Sequence, residues 1–312
     1  MASRLLDVMT FNVEGLPWPA RSGRSASLKA IGEHIRDLRH RGKAPDVILF
    51  QEAFARPATR MVEATGYPTI VPGPGHRARS TVPRGGTRRP GARVWGKGEV
   101  GLKFLGSGLA IVSEYPVTDS FVSAFARKSC AGIDCLSNKG MVLARLHIPG
   151  VPAPVELLTT HMNSQRASRV PSRRYNAVHL AQTNELQAFI GMNSDLSAPL
   201  IFGGDFNMRH EQLRFDHFER KVAMKLVHRE CGAFPERCDV RMSWDGDAPW
   251  MDTQDLQLYS DGAAVQVEPI RVEAWFDGPE KGGRLSDHDA YRVVYRLSWP
   301  KTAAPYVPDC GG

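Results

Sequence analysis

Acidic, amide and histidine side chains recur at the ends of the strands that the sequence predicts. The clearest case is LIFGGDFNMRH at residues 200–210, where an apolar run leads through two glycines to Asp205 and Asn207. Residues two apart in a strand face the same side, so these polar groups are expected to project together while Phe206 turns to the core. The pattern predicts a ligand opposite Asp205 and Asn207.

Other segments place residues of the same kinds at strand ends. They contain Asn12, Glu52, His161, Asn163, Asp287 and His288. Each one alone is more typical of a cap, a helix-start acid or a surface histidine. Together they make a set of oxygen ligands and acid–base groups, which is typical of an active site.

Phosphate-ester hydrolysis is the chemistry that suits this set. Glu52 and Asn12 offer the hard oxygen ligands that a divalent ion prefers, with Mg²⁺ expected first and Mn²⁺ or Co²⁺ as substitutes. Such an ion polarises a phosphoryl oxygen. His288 suits the base that deprotonates water, and Asp205 suits the group that orients this water. Asn207 and His161 are expected to donate hydrogen bonds to the phosphorane as its charge develops.

The elements that hold these residues are mostly strands. Apolar alternation predicts strands over 5–13, 46–50, 107–113, 141–148, 155–161, 200–205 and 290–297, and helical spacing predicts helices over 25–41, 58–65 and 171–192. Several strands are joined by turns too short for a crossover helix, so much of the sheet is expected to be antiparallel. One catalytic domain over 1–299 with an extension over 300–312 is predicted, because no repeat or linker is visible.

Composition narrows the class of partner. The 312 residues carry a formal charge of +7 and a pI of about 9.3, which favours nucleic acid, a phospholipid surface or a small phosphate ester. Much of this charge lies between His76 and Lys103, in a stretch interpreted either as a mobile loop over about 73–103 or as a binding element. No apolar run reaches the roughly 20 residues of a membrane span, and a monomer is expected.

The cysteine content is compatible with two cellular locations. The pairs Cys130/Cys135 and Cys231/Cys238 lack zinc-site spacing. Two short-loop disulfides would suit a secreted or periplasmic protein, whereas free thiols would suit a cytoplasmic one. The amino-terminal residues show no signal-peptide apolar core, although a chain whose leader had been removed would look the same.

Five segments in a fixed order carry a family resemblance. TFNVEGLP, FQEAF, TTHMN, GGDFNM and LSDHD resemble the motif series of the endonuclease/exonuclease/phosphatase superfamily, whose fold is similar to deoxyribonuclease I. The resemblance covers Leu5 to Leu297. It implies an α/β (α+β) four-layer sandwich, with two packed, mixed and largely antiparallel β-sheets flanked by helices. It also implies Mg²⁺-dependent hydrolysis of phosphodiesters or phosphomonoesters.

The resemblance also implies a role for each matching residue. Asn12 and Glu52 would be on the metal side, and His161 would be a transition-state stabiliser or acid. Asp205 and Asn207 would position the water and the phosphate. The family pattern makes Asp287 a metal-linked acid and His288 the general base.

One further segment points to a branch of the superfamily. GIDCLSNKGMVLARLHI at 132–148 resembles the part of neutral sphingomyelinases that reads close to DCLSNKG. The resemblance implies that Lys139 faces the substrate phosphate, with Asn138 and Asn163 as further substrate-binding residues; otherwise Lys139 closes a hairpin turn. Asn-Lys-Gly also occurs in inositol polyphosphate 5-phosphatases, so a phosphomonoesterase stays open.

The chain departs from the family pattern in two places. Where an aspartate usually supports the catalytic histidine, this sequence has Arg271-Val-Glu-Ala-Trp275, and Glu273 is either the replacement or an ordinary strand residue. The long apolar hairpin of secreted bacterial sphingomyelinases is replaced by a short segment beginning at Trp275. Trp275 and Phe276 either touch lipid or belong to the core.

The sequence predicts a phospholipase C-type phosphodiesterase that releases a phosphocholine-like headgroup from a sphingolipid at a membrane surface. Basic residues in the 76–103 loop would attract anionic lipid at roughly 1 kcal/mol each. The first alternative is a nuclease, whose activity would fall steeply with salt, although the loop holds Trp95 as its one aromatic residue and not an interleaved series that stacks on bases. A silent binding module on the same fold is disfavoured because the full set of acids, amides and histidines is retained.

Overall fold

The computed structural model describes residues 1–17, 21–83, 90–242, 253–278 and 283–308. The strands are β1 (Ala2–Asn12), β2 (Val47–Gln51), β3 (Thr69–Pro72), β4 (Ala110–Ser113), β5 (Val117–Ala124), β6 (Gly140–Leu146), β7 (Val155–His161), β8 (Leu200–Asp205), β9 (Lys225–Leu226), β10 (Asp239–Arg241), β11 (Asp255–Ser260), β12 (Gln266–Trp275) and β13 (Ala290–Trp299). The helices are α1 (Arg24–His40), α2 (Arg56–Ala64), α3 (Ser172–Asn193), α4 (Gln212–Lys221) and α5 (Val227–Ala233). Short 3₁₀ helices cover Gly132–Leu136 and Arg166–Ser168.

The strands form two mixed sheets. Among the described residues, one sheet has the order β10-β12-β13-β1-β2-β4-β3 and the other has the order β5-β6-β7-β8-β11-β9. The pairs β1/β2, β10/β12 and β7/β8 are parallel, and the other ladders are antiparallel. The predicted mixture with a largely antiparallel character is therefore confirmed.

Three apolar clusters separate four layers. Leu6, Val8 and Leu49 of the first sheet pack with Leu157 and Ile201 of the second, so one cluster lies between the sheets. A second cluster lies between the outer face of the first sheet and the helices α1 and α2. A third cluster lies between the outer face of the second sheet and the helices α3 and α4. Each sheet is thus covered on both faces and each helical layer buries one apolar face, as a layered fold requires, so the predicted four-layer sandwich is confirmed.

Two glycines in β8 allow close packing at the centre of the sandwich. A Cβ at Gly203 would lie 2.2 Å from Thr10 Oγ1 in the facing sheet, and one at Gly204 would lie 2.3 Å from the Thr160 carbonyl oxygen of β7. Real Cβ atoms do not approach so closely, so only glycine lets β8 run this near its neighbours. The glycines before Asp205 therefore serve the packing of the strand.

Most of the predicted elements are present, with shifted ends. Strands β7 and β8 have the predicted bounds, and the helix predicted over 171–192 is α3. The prediction missed the strands β3, β5, β9, β10, β11 and β12 and the helices α4 and α5. Strand β5 is partly exposed, β3, β9 and β10 have four residues or fewer, and β12 has a register shift after Pro269. Phe276 is fully buried and stacks on Phe11 with 4.7 Å between ring centroids, so its core assignment is correct and its assignment to lipid contact is wrong.

Parts of the predicted basic loop and of the tail make contacts with the rest of the chain. Asn138 Nδ2 donates to the carbonyl oxygens of Gly75 and Ala78, and the buried Glu99 carboxylate pairs with Arg174 at 3.0 Å. The backbone N–H of Tyr306 donates to Val151 O. Arg84, Arg88, Arg89 and Cys310 lie outside the described residues.

Both predicted cysteine pairs are disulfide-bonded, Cys130 to Cys135 and Cys231 to Cys238. Their loops are short, with sequence separations of 5 and 7 residues. Across the parts of the chain that the structure describes, none of the helices is both long and apolar enough to cross a bilayer.

Candidate active site

The strand topology brings the predicted polar residues to one end of the sandwich. The parallel strands β1 and β2 end side by side at Asn12 and Gln51, and β7 and β8 end side by side at His161 and Asp205. The antiparallel strands β11 and β13 begin at the same end, because Asp255 pairs with Asp205 and Thr10 pairs with Tyr291. Residues far apart in sequence therefore meet at one edge.

Asp205 lies at the centre of this edge. Its Oδ2 atom accepts a hydrogen bond from Asn12 Nδ2 at 2.9 Å and lies 3.3 Å from His161 Nε2. The carboxylate is buried beside that of Asp255 in the neighbouring strand. Burial, and then repulsion by Asp255, raises the pKa of Asp205 to about 7. A nearby cation would therefore strongly stabilise the ionised form of this carboxylate.

His288 faces Asp255. His288 Nδ1 and Asp255 Oδ2 are 2.5 Å apart, at the start of β11. Burial opposes the charged imidazole, but the Asp255 carboxylate outweighs it and raises the pKa of His288 to about 11. This contact orients the ring and leaves Nε2 to face the cleft.

The prediction that Glu273 supports His288 is wrong. Glu273 lies within β12, where its carboxylate is 3.7 Å from both Arg271 Nε and Arg292 Nε. It lies directly opposite Arg292 in the pairing of β12 with β13 and belongs to a charged group with Arg271 and Arg292. Asp255 therefore holds the position that the sequence analysis gave to Glu273.

Lys139 is buried against His161. Its Nζ atom is 2.9 Å from His161 Nε2, donates to Met162 O at 2.9 Å and lies 3.1 Å from Asp134 Oδ1. Burial, then the Lys139 charge, lowers the pKa of His161 well below its ordinary value, so this imidazole is neutral. The charged donor at this position is Lys139.

Glu52 and Asn207 both enter the cleft from left-handed backbone conformations. Their φ angles are +59° and +52°, a region that non-glycine residues adopt mainly at turns and functional sites. The strand ends at Asp205, so alternation along a strand does not account for Asn207. Its backbone N–H donates to Asp205 Oδ1, and its Nδ2 donates to Met162 O. Phe206 is fully buried, as predicted.

Two predicted substrate-binding asparagines hold the loops. Asn163 is fully buried; its Oδ1 accepts from the Ala131 N–H and its Nδ2 donates to Ser164 O. Both amide hydrogens of Asn138 are used by Gly75 O and Ala78 O. Neither side chain is among those that line the cleft, and backbone groups take up the amide contacts named above. A substrate-binding role for either residue stays a prediction.

Asp287 lies at the rim of the cleft. Its side chain is 48% exposed and its Oδ2 is 3.2 Å from Arg21 Nη2. The distance from its Oδ1 to His288 Nε2 is 3.9 Å. Arg21 also contacts Glu14 Oε1 at 2.5 Å and so bridges two segments at the mouth. The metal-linked role of Asp287 stays a prediction.

The cleft has one polar wall and one apolar wall and a volume of about 450 Å³. Its polar side is lined by Glu52, Lys139, His161, Asp205, Asn207 and His288. Its apolar side is lined by Leu16, Pro17, Phe54, Phe104, Ile133 and Leu136. The arrangement accepts a ligand that is charged at one end and apolar at the other.

The acidic residues suit a divalent cation. Ligand atoms of Glu52, His161 and Asp205 all lie within 4.8 Å of one another, as do those of Asp205, Asp255 and His288. Burial also raises the pKa of Glu52, and Asp255 Oδ1 is buried without a hydrogen-bond partner. A cluster of carboxylate oxygens, one of them buried without a hydrogen-bond partner, is the donor set that Mg²⁺ prefers.

Asn12 makes protein contacts with both of its polar atoms. Besides the bond to Asp205, its Oδ1 accepts from the Glu14 N–H at 3.0 Å. In this structure Asn12 positions the Asp205 carboxylate. Its role as a direct metal ligand stays a prediction, since a carbonyl oxygen has a second lone pair.

Sequence reasoning missed Asp255 and Asp134. Asp255 opens the alternating run DLQLYS, so a polar residue at a strand start was its only local signal. Asp134 lies in the quoted DCLSNKG segment; its Oδ2 accepts from the Ser164 N–H and hydroxyl while its Oδ1 faces Lys139. The contacts of Asp255 with His288 and of Asp134 with Ser164 each join residues 30 or more positions apart, so residue type alone did not identify them.

The fold and the strand-end site define a protein with the deoxyribonuclease I-like architecture. A model described as the endonuclease/exonuclease/phosphatase family matches residues 9–288. The chain belongs to this family, as the motif series predicted. Its members are hydrolases of phosphate esters, in agreement with the carboxylate and histidine site.

The similar proteins include a sphingomyelin phosphodiesterase and a protein solved with a DNA product. Sphingomyelin phosphodiesterase 2 of Homo sapiens is 24% identical over 202 residues, which cover 60% of this chain and 47% of the human protein. The aligned part thus spans about half of that relative.

Solved structures share the whole architecture. A beta toxin structure from Staphylococcus aureus has a TM-score of 0.64 at 20% identity and covers 92% of this chain and 99% of its own. A second beta toxin structure, with bound magnesium ions, has a TM-score of 0.59 at 18% identity over 95% of this chain and 99% of its own. The structure of D. rerio TDP2 complexed with single strand DNA product has a TM-score of 0.59 at 14% identity. It covers 93% of this chain and 98% of its own.

Proposed function

We propose that the protein is a Mg²⁺-dependent phosphodiesterase that cleaves phospholipid headgroups, with sphingomyelin as the expected substrate and phosphocholine as the product. The observation that carries the proposal is the two-sided cleft, with carboxylates, histidines and Lys139 on one wall and Phe54, Phe104 and Ile133 on the other. A lipid phosphodiester has both kinds of surface next to its scissile bond. The likeness to sphingomyelin phosphodiesterase 2 supports this choice.

The polar wall supplies each function that hydrolysis needs. Asp255 holds His288 at 2.5 Å, which leaves His288 Nε2 to take a proton from water. Asp205 is held by Asn12 and by the Asn207 N–H, and it is expected to orient that water. Lys139, held by Asp134, places a positive charge where charge develops on the phosphoryl oxygens.

Glu52, Asp205 and Asp255 are the residues that would hold a divalent cation, with Asn12 beside them. When bound, this ion would polarise a phosphoryl oxygen and neutralise developing negative charge. The positive charge beside Asp255 and Asp205 would also favour the neutral form of His288, which is the form that accepts a proton. The three carboxylates in turn keep the site selective for hard cations.

A polynucleotide phosphodiester is the second candidate. Phe54 lies beside His161, with 6.4 Å between the ring centroids, and Phe104 is exposed at the cleft, so both could stack on a base. The net charge of +7 also favours a polyanion. TDP2 bound to a DNA product shares the fold.

A parallel turnover assay tests the proposal. Purified protein with Mg²⁺ is incubated with sphingomyelin vesicles and with supercoiled plasmid, each with and without chelator. Chelator-sensitive phosphocholine release with intact plasmid is the expected result. Plasmid nicking without lipid hydrolysis would move the protein to the nuclease candidate. Full activity in both Asp205→Ala and His288→Ala would contradict the site assignment itself.

Export is proposed as well. The short loops closed by Cys130–Cys135 and Cys231–Cys238 are stable in oxidising compartments and are rare in reducing ones. A secreted or periplasmic location agrees with a lipid substrate presented on a cell surface. Alkylation of the protein isolated from its native cells, followed by mass measurement, counts the free thiols. At most one of the five cysteines should react in an exported protein, because four are paired, and more than one would react if the protein were cytoplasmic.

A further inference from the structure

An apolar surface lies beside the cleft, on a segment that runs from Arg93 to Phe104 and on the adjoining 3₁₀ helix Gly132–Leu136. The exposed fractions are 74% for Trp95, 53% for Val100, 58% for Leu102, 64% for Phe104 and 36% for Ile133. Phe104 and Ile133 also line the cleft. The exposed apolar surface is therefore continuous with the mouth of the candidate active site.

The backbone of this segment is held firmly from the inner side. Phe104 N–H donates to Leu136 O, and Lys103 Nζ donates to Ser137 O at 2.9 Å. The buried Glu99 carboxylate pairs with Arg174 and accepts from the Gly132 N–H. The polar groups of this segment thus face the protein interior, while Val100, Leu102 and Phe104 face solvent. In an ordinary surface loop the polar side chains face solvent and the apolar ones are buried.

Basic side chains surround the apolar ones. The Arg93 guanidinium lies over the Trp95 ring at 4.2 Å, and Arg127 donates to Gly101 O. Lys97 and Lys128 are exposed next to them in sequence. An aromatic and aliphatic cluster rimmed by positive charge complements an anionic lipid surface, where apolar groups enter the interface and basic groups meet headgroup charge.

We propose that this surface, named here the 93–104 surface and formed by residues 93–104 with Ile133, docks the protein on an anionic phospholipid bilayer and presents a headgroup to the cleft. The inference rests on the proposed lipid substrate. It assigns membrane contact to a part of the chain remote in sequence from the Trp275 segment, where Phe276 is buried in the core. Docking through Leu102 and Trp95 would place Phe104 and Ile133 at the lipid interface.

Vesicle binding tests the proposal in a His288→Ala background, which prevents lipid hydrolysis. Trp95→Ala and Leu102→Glu are compared by co-sedimentation with phosphatidylcholine vesicles with and without phosphatidylserine. Each variant is expected to lower partitioning onto the anionic vesicles by roughly ten-fold or more. The matched control is Leu196→Glu, because Leu196 is 83% exposed just before β8 begins, at the opposite end from Asp205. It is expected to bind as the parent does.

A second readout separates docking from the integrity of the cleft. In the active background, Leu102→Glu should hydrolyse the soluble diester p-nitrophenylphosphorylcholine at the parental rate and sphingomyelin vesicles at a reduced rate. Equal vesicle binding by the Leu102→Glu and Leu196→Glu variants would overturn the docking proposal, even with lipid hydrolysis intact.

A different pair of results would contradict the proposed function while leaving the docking proposal intact. Loss of vesicle binding in Leu102→Glu, with no lipid hydrolysis by the parent, would support the docking surface and contradict the substrate. A fluorescent single-stranded oligonucleotide serves as the last probe. If Leu102→Glu weakened its binding as much as it weakened vesicle binding, the surface would belong to nucleic acid and the proposal would be overturned.

Discussion

His288 Nδ1 lies 2.5 Å from Asp255 Oδ2, and Asp255 in turn lies directly opposite Asp205 across the antiparallel pair of β11 and β8. A single strand register thus places the carboxylate that orients the histidine beside the carboxylate that is expected to orient water. Glu273, the acid that the sequence suggested for the first role, contacts Arg271 and Arg292 instead.

The first prediction contrasts these two acids. Asp255→Asn should lower kcat by roughly 10²- to 10⁴-fold, because an amide cannot hold the imidazole in the tautomer that accepts a proton. Glu273→Gln should leave kcat within about three-fold of the parent, since its partners lie outside the cleft. Steady-state turnover of a soluble phosphodiester measures both. A large loss in Glu273→Gln together with normal turnover in Asp255→Asn would restore the sequence-based assignment.

Metal binding should be visible without turnover. Free Mg²⁺ at a hundred times its dissociation constant would stabilise the protein by about 2.7 kcal/mol and raise its Tm. Asp205→Asn should lose most of this increase relative to its own metal-free Tm, because Asp205 belongs to both candidate ligand groups. Asp119→Asn, whose side chain is 57% exposed on β5 and outside the cleft, is the matched control and should keep the increase. An equal loss in both variants would contradict the assignment of the metal site to Asp205.

The Cys130–Cys135 disulfide should matter for catalysis more than Cys231–Cys238. It closes the 3₁₀ helix that carries Asp134, whose carboxylate is 3.1 Å from Lys139 Nζ. Replacing both cysteines of this pair by serine should lower kcat by roughly ten-fold or more, since small misplacements of a catalytic group are costly. The same double replacement at Cys231 and Cys238 should affect thermal stability but not kcat. Equal kcat values for the two double variants would contradict this prediction.

His228 should make stability depend on pH. It is buried on α5, where its Nδ1 is 2.8 Å from the Tyr291 hydroxyl, and burial lowers its pKa from 6.5 to about 3. The unfolded chain therefore binds the proton first as pH falls. The stabilisation is present above pH 6.5 and is lost towards pH 3, at about 1.4 kcal/mol per pH unit.

Urea unfolding between pH 7.5 and pH 4.5 measures this effect. His228→Asn keeps an acceptor for Tyr291 but does not titrate, so its free energy of unfolding should fall less steeply than that of the parent. Comparing the two proteins cancels the contributions of Asp205, His161 and His288, which titrate in both. Parallel pH profiles would show that His228 is already protonated or solvated in the folded protein.

Local patterns predicted the layers and most of the site. Alternation in 200–205 and 155–161 gave strands with the observed bounds, and helical spacing found α3. The residue types at the strand ends then predicted Glu52, His161, Asp205, Asn207 and His288, all of which line one cleft. These features depend on side chains that lie within a few positions of one another in the sequence. They can therefore be predicted from local sequence patterns.

Only the tertiary structure decided which of several similar residues meet. Asn163 and Asn138 looked like substrate ligands, but their amides are used by neighbouring backbone groups. The choice between Asp255 and Glu273 depended on the pairing of β11 with β8, and the outward orientation of Trp95, Leu102 and Phe104 depended on how Glu99 and Lys103 anchor their segment. Hydrogen bonds and ion pairs between distant parts of the chain are set by packing of the whole sandwich. The sequence by itself therefore determined the fold and the kind of chemistry, and the assembled layers determined the partners of each group.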